Sequence, residues 1–117
     1  MVTTVRIKNF KSFFCLSIFL SLCFFAEPLL AYPKRIISLS PTATEMLYAI
    51  GSGENVIAVD SHSNYPSQAP MTNLSALEPS LESIALLKPD LVIISFEIGK
   101  IISNLNALGI RVLLLPA

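Results

Sequence analysis

The one histidine of the chain, His62, lies between Ser61 and Ser63 and two residues after Asp60. An imidazole, a carboxylate and neighbouring hydroxyls are the parts of a hydrolytic relay, and a lone imidazole nitrogen is also a metal ligand. The spacing argues against the relay. In a working triad the nucleophile, base and orienting acid converge from separate elements and bond in series, which immediate neighbours on one loop do not normally achieve. A closed metal site is also disfavoured, because His62 has no second His or Cys beside it. It can contact a bound ligand, supply one axial bond to a metal already held in a macrocycle, or simply be a solvated loop histidine. Tyr65 and Phe96 are candidates for an apolar ligand wall, with ordinary packing as the alternative.

A second group, Ser40-Pro41-Thr42, draws its chemistry from position. A turn between the carboxyl end of a parallel strand and the start of a helix presents free N–H groups and a positive dipole end, and open α/β sheets bind ligands there. The bland alternative is that both hydroxyls only cap the helix. No G-x-G-x-x-G, G-K-[ST] or G-x-S-x-G pattern occurs, so neither a nucleotide phosphate loop nor a serine-hydrolase elbow is supported.

The elements that must position these residues are legible from Arg35 onward. Ile36, Ile37 and Leu39 form a short β-branched run suited to a strand buried in a parallel sheet. Thr42, followed three residues later by Glu45, matches a capping box. Ala43, Met46, Leu47 and Ile50 then recur on one helical face, and Gly51 closes the helix. Asn55 to Asp60 reads as a second strand. Ser61 to Ser80 is a polar stretch with Pro66, Pro70 and Pro79 and no period; a loop of that length is usually functional. Leu81, Ile84, Ala85 and Leu87 give a short helix behind Ser80 as N-cap, stopped by Pro89. Leu91 to Ser95 is a third strand. Ile101, Leu105 and Leu108 share a face of a helix ending at Gly109, and Val112 to Leu115 is a fourth strand. Alternating strands and helices predict a Rossmann-like α/β fold with a parallel sheet and right-handed crossovers. The last strand should lead into a further helix, so the fold reads as incomplete.

The amino terminus has another logic. Arg6, Lys8 and Lys11 precede an uncharged apolar run, Ser12 to Ala26, which is short for a membrane span, and Pro28 to Ala31 supplies a breaker and a small residue. We expect residues 1–31 to be a signal peptide cleaved after Ala31, with Ala26 as second choice and a retained anchor as the alternative. Cys15 and Cys23 would leave with it. The mature chain would then hold neither a cysteine nucleophile nor a thiolate zinc site nor a disulfide. The sequence carries 8 basic and 8 acidic residues. Without the leader, Lys34, Arg35, Lys88, Lys100 and Arg111 face Glu45, Glu54, Asp60, Glu78, Glu82, Asp90 and Glu97, five against seven or a net −2. Nucleic acid is therefore not an expected partner. The 53% hydrophobic content is raised by the leader, yet the remainder keeps enough Ile, Leu and Val for a core.

RIISLSPTATEMLYAIG, the SNYP of Ser63 to Pro66 and PSLESIALLKPDLVI from Pro79 to Ile93 together resemble the amino-terminal lobe of periplasmic substrate-binding proteins for cobalamin, iron-siderophore and haem ABC importers. The resemblance covers nearly all of residues 34–117. It implies a bilobal protein, two α/β lobes joined by a long rigid helix with ligand in the cleft between them; residues 32–117 would supply part of the first lobe. It implies a binding protein and not an enzyme, with no resident cofactor. Its partners would be a metal-chelate or corrinoid ligand and an inner-membrane permease. In cobalamin-binding members three segments supply aromatic side chains to the cleft. The matching positions are His62, Ala76 and Ser95, with Phe96 beside the last, so haem or a ferric chelate stays open alongside cobalamin. Glu82, in the L-E block, corresponds to the glutamate that docks a lobe onto permease arginines. The competing expectations are an accessory or hydrolase-like protein on a truncated α/β scaffold, and an interaction protein using an exposed sheet.

Overall fold

The computed structural model describes residues 32–117; the expected signal peptide, its cleavage site, Cys15 and Cys23 lie outside the described residues. Four strands form one sheet: β1 (Ile36–Leu39), β2 (Val56–Val59), β3 (Leu91–Ile94) and β4 (Arg111–Leu114). All pairings are parallel and the order is β2-β1-β3-β4. Between them lie α1 (Pro41–Ala49), a 3-10 turn at Gly53–Asn55, α2 (Leu81–Leu86) and α3 (Ile101–Ala107). The expected alternation and parallel sheet are thus observed. Successive β1 to β3 positions pair in register from Ile36↔Leu91 to Leu39↔Ile94, whereas β1 and β2 slip by one residue at Ile57.

Strand periodicity sends alternate side chains to opposite faces, and each face has its own cover. Ile37, Leu39, Ala58, Val92 and Ile94 meet Ile84 of α2 and Ile101 and Leu105 of α3. Ile36 and Ile93 meet Ala43 of α1, with Leu47 packed alongside. Placing α1 on one face and α2 and α3 on the other is what right-handed crossovers require when the first moves outward to β2 and the later ones move the opposite way.

The helix ends follow local rules, with one correction. Helix α1 starts behind Ser40, not Thr42: Ser40 is extended, with φ −148, and its hydroxyl accepts from the Ala43 N–H. Pro41 explains the difference, because its fixed φ suits the first helical position and moves the start ahead of Thr42. Thr42 and Glu45 are consequently exposed helix residues and no capping box forms. The expected apolar face of α1 is also corrected. Ala43 is buried and Leu47 half-buried, but Met46 and Ile50 are 51% and 74% exposed, and the fully buried partner of Ala43 is Thr44. Likewise Ile101 and Leu105 are buried while Leu108 is 55% exposed. Gly51 and Gly109 close their helices at φ +84 and +77, conformations that a side chain disfavours. Ser80 caps α2 through the Ser83 N–H, and α2 ends before Lys88, whose φ is +49.

Candidate functional site

In a parallel sheet every strand points its carboxyl end to the same edge. The loops after β2, β1 and β3 therefore emerge side by side along that edge, in that order. The crossovers change direction between β1 and β3: the one after β1 leaves to one side and the one after β3 to the other. Ligands of open α/β sheets bind in the crevice at such a switch point. Its rim here is Ser40 to Thr42 on one side and Ser95 with Phe96 on the other, flanked by the Asp60 to Pro66 loop.

The structure gives these residues unequal roles. Ser40 is 2% exposed and its hydroxyl is bonded to the Ala43 N–H at 3.3 Å, so Pro41 and Thr42 form the accessible part of the turn. His62 is exposed over 71% of its side chain, Tyr65 is 66% exposed and Phe96 45%. Ser95 and Ala76 are half-buried, and Ala76 packs on the core. Glu82 is exposed in the first turn of α2, while Leu81, Ile84 and Ala85 face the core as the sequence pattern requires. An open groove of about 370 Å³ runs along the same edge between the starts of α2 and α3, lined by Leu77, Pro79, Leu81, Ile98, Lys100 and Ile101 among others.

Beneath the rim lies a polar cluster that local sequence patterns do not disclose. Ser38, Thr44, Asp60 and Ser63 are each no more than 1% exposed. Thr44 Oγ1 sits 2.9 Å from Ser38 Oγ, 2.9 Å from the Ser40 carbonyl and 3.2 Å from Ser63 Oγ. Ser63 in turn donates its hydroxyl to Asp60 Oδ1. The Asp60 N–H donates to the Ser38 carbonyl at 3.1 Å, extending β2 toward β1 by one rung. A hydroxyl has one proton and two lone pairs, so the cluster shares its protons around a ring of acceptors and leaves no described buried polar side-chain atom without a partner. Its effect is mechanical: β1, α1 and the loop after β2 are tied together under the rim. The D-x-x-S spacing of Asp60 and Ser63 was the available signal, as a turn in which the acidic side chain bonds onward. Thr44, nineteen residues from Ser63, gave none.

His62 belongs to the same loop but stands outside the buried ring, with Nδ1 3.9 Å from Asp60 Oδ2 and 3.4 Å from Ser61 Oγ. Among the described residues no three His, Cys, Asp or Glu side chains gather as a metal cluster.

A small α/β lobe with an open switch-point rim, braced from below and carrying exposed aromatic and imidazole groups, has the arrangement at which open α/β sheets generally place their ligand sites. Residues 36–116 match the model of the periplasmic binding protein family, and the chain belongs to that family. Over 82 residues it is 44% identical to the Vitamin B12-binding protein of Photorhabdus laumondii, covering 67% of this chain and 29% of that protein. The crystal structure of the periplasmic vitamin B12 binding protein BtuF of Vibrio cholerae superposes with TM-score 0.62 at 36% identity, covering 69% of this chain and 33% of that one. A periplasmic haem binding protein from Pseudomonas aeruginosa gives TM-score 0.65 at 27% identity, over 74% and 32% of the two chains. The chain thus spans 29% of the length of the Photorhabdus relative.

Proposed function

We propose that residues 32–117 are part of the amino-terminal lobe of a substrate-binding component of an ABC importer, exported to the periplasm by a cleaved leader. The lobe offers one wall for a metal-bearing ligand of the cobalamin, haem or ferric-chelate class. What supports this is that the loops carrying Pro41 and Thr42, His62 and Tyr65, and Phe96 all leave the carboxyl edge of one parallel sheet, in a chain that belongs to the periplasmic binding protein family. Ser40 supports that wall from within as the cap of α1. The loop spacing around His62 does not form a triad, so the hydrolase-like alternative has no observation in its favour.

One open wall buries little of a ligand, whereas small-molecule sites generally enclose most of it. Titration of the chain with cyanocobalamin, ferric haem and a ferric siderophore, followed by NMR, should therefore show shifts at Tyr65, His62 and Phe96 with about millimolar affinity, roughly 4 kcal/mol. Absence of shifts at these residues with all three ligands would overturn the assignment.

Glu82 is the proposed permease contact. Its exposure on α2 frees it for an arginine, although at the helix start it also gains about 0.3–1 kcal/mol from the backbone dipoles. If docking is its role, Glu82→Arg in the two-lobed protein should leave ligand affinity intact and cost roughly 2–5 kcal/mol in permease association. Wild-type pull-down and transport in Glu82→Arg would leave helix stabilisation as its sufficient role.

A further inference from the structure

The two outer strands of the sheet are finished differently. Outside β2, the Val59 N–H donates to the Pro70 carbonyl and the Thr72 N–H to the Val59 carbonyl, each at 3.0 Å, and the pairing with β1 slips at Ile57. That edge is irregular and partly covered. Outside β4 no described residue pairs. Successive residues of a strand turn their N–H and C=O groups to opposite sides. Leu115 donates its N–H to the Ile94 carbonyl, so Arg111, Leu113 and Leu115 turn theirs to β3, and Val112 and Leu114 turn theirs outward. Leu113 and Leu114 are 46% and 43% exposed, and from Val112 to Leu115 the strand has no lysine, proline or bulge of the kind that discourages edge pairing.

The strand is complementary to itself. An antiparallel second β4 can use all the outward groups in one register, with Val112 opposite the partner's Leu114 and the two Leu113 side chains facing each other on a two-fold axis. A slip toward the strand's start would set Leu114 opposite Ile110, whose N–H is already given to the Leu105 carbonyl. A slip toward its end would set Val112 opposite Pro116, which has no N–H. Every facing pair between Val112 and Leu114 is then apolar, which supports a sheet. Arg111, the one charge on the strand, lies four residues along the ladder from its symmetry mate. That is about 14 Å, beyond the roughly 10 Å screening length of 0.1 M salt, so the two charges do not oppose pairing.

We propose that β4 pairs with β4 of a second copy of this chain, antiparallel about a two-fold axis at Leu113, joining two four-stranded sheets into one. The contact is narrow, well under the roughly 800 Å² per partner of a standard interface, so the dimer forms at about 0.1–1 mM. The loop after β2, with His62 and Tyr65, stays on the far side of each sheet, and self-association is independent of the ligand assignment.

All four strands and both core clusters lie within residues 36–115, so the chain without its leader is the sample. Sedimentation equilibrium up to about 1 mM should show monomer passing to dimer and no larger species. Amide shifts on dilution should fall at Arg111 to Leu115 and spare Ser61 to Tyr65. Leu113→Lys sets two ammonium groups face to face and should stay monomeric throughout, with an unchanged circular dichroism spectrum. Leu86→Lys, at a leucine 75% exposed on α2, should dimerise like the wild type. Leu113→Cys tests the register without adding charge: facing Cα atoms about 4.5 Å apart are within disulfide reach, so diamide, which takes up the two thiol hydrogens, should link the copies. Leu114→Cys, whose symmetry mate lies about 8 Å away, should link far more slowly. A chain still monomeric at about 1 mM overturns the proposal and leaves the edge to a strand from another protein. Larger assemblies, wild-type association in Leu113→Lys, or linking through Leu114→Cys as fast as through Leu113→Cys overturn it equally.

Discussion

The two edges of the sheet are built in opposite ways. At the amino edge, Asp90 Oδ2 accepts from the backbone N–H groups of Lys34 and Arg35, each at 3.0 Å. Arg35 Nε and Nη2 reach the carbonyls of Lys88 and Leu87, at 3.0 and 2.7 Å, where α2 has just ended. These are charged side chains bonded to backbone, exposed to water, and they join the entries of β1 and β3 to the exit of α2. At the carboxyl edge the order is reversed, with small hydroxyls and one carboxylate buried below and imidazole, phenol and phenyl groups exposed above. Exposed charge suffices where the requirement is to hold chain ends together. On the proposed reading the rim meets a ligand and needs its outer groups free, which buried and self-satisfied bracing allows.

The largest expected effect that distinguishes the edges comes from Thr44→Val. The substitution keeps the shape and removes the hydroxyl at the centre of the buried ring, leaving Ser38, Ser63 and the Ser40 carbonyl with one partner fewer. Each of these groups keeps another partner, so the loss is that of the hydrogen bonds themselves, about 0.5–1.5 kcal/mol apiece, which denaturant unfolding should register. Hydrogen exchange should quicken at Ser61 to Asn64 and stay unchanged at Lys88 to Val92. Equal loss of protection at both edges would mean that the ring braces the whole lobe and not the rim. Arg35→Ala is the mirror test. Its bonds are charge-assisted but solvent-exposed, so a loss of about 1 kcal/mol is expected, with no change in the rim amides or in ligand shifts at Tyr65.

Much of the frame was legible because it is local. Runs of β-branched residues fixed β1 and β3, Ser80 announced α2, and Gly51 and Gly109 marked helix ends, all through rules that operate within a few residues. The errors share a physical origin. Met46, Ile50 and Leu108 lie at helical spacing from buried neighbours, yet the stripe that a helix buries depends on how it is seated on the sheet. A short helix on a narrow sheet leaves part of an apolar face uncovered. Thr44 is illegible in the sequence for the converse reason: a hydroxyl is buried only where distant partners satisfy it, and Ser38 and Ser63 are brought to it by the fold. The contact of Arg35 with Leu87, 52 residues away, is of the same long-range kind. The strand-turn-helix elements along the carboxyl edge are legible because their patterns are local, while the bracing beneath them is not.

The smallest expected effect is the most discriminating at the rim itself, and it sets Thr42 against Ser40. Both are hydroxyl residues flanking Pro41, and the sequence alone assigned the cap to Thr42. In the structure Ser40 holds the Ala43 N–H and is 2% exposed, so Ser40→Ala should cost about 1 kcal/mol, the usual worth of a helix cap. Thr42 is exposed on the first turn and caps nothing, so Thr42→Ala should change stability by less than about 0.5 kcal/mol. Its side chain stands on the rim, however, and a corrin, haem or chelate seated over the β1–β3 crevice would pass over it. Ligand titration should then separate the two variants in the opposite sense to unfolding, with Thr42→Ala altering the shifts at Phe96 and Ser40→Ala sparing them while the helix stays folded. A Thr42→Ala chain that loses as much stability as Ser40→Ala would return the cap to Thr42 and leave the turn without a free hydroxyl for ligand.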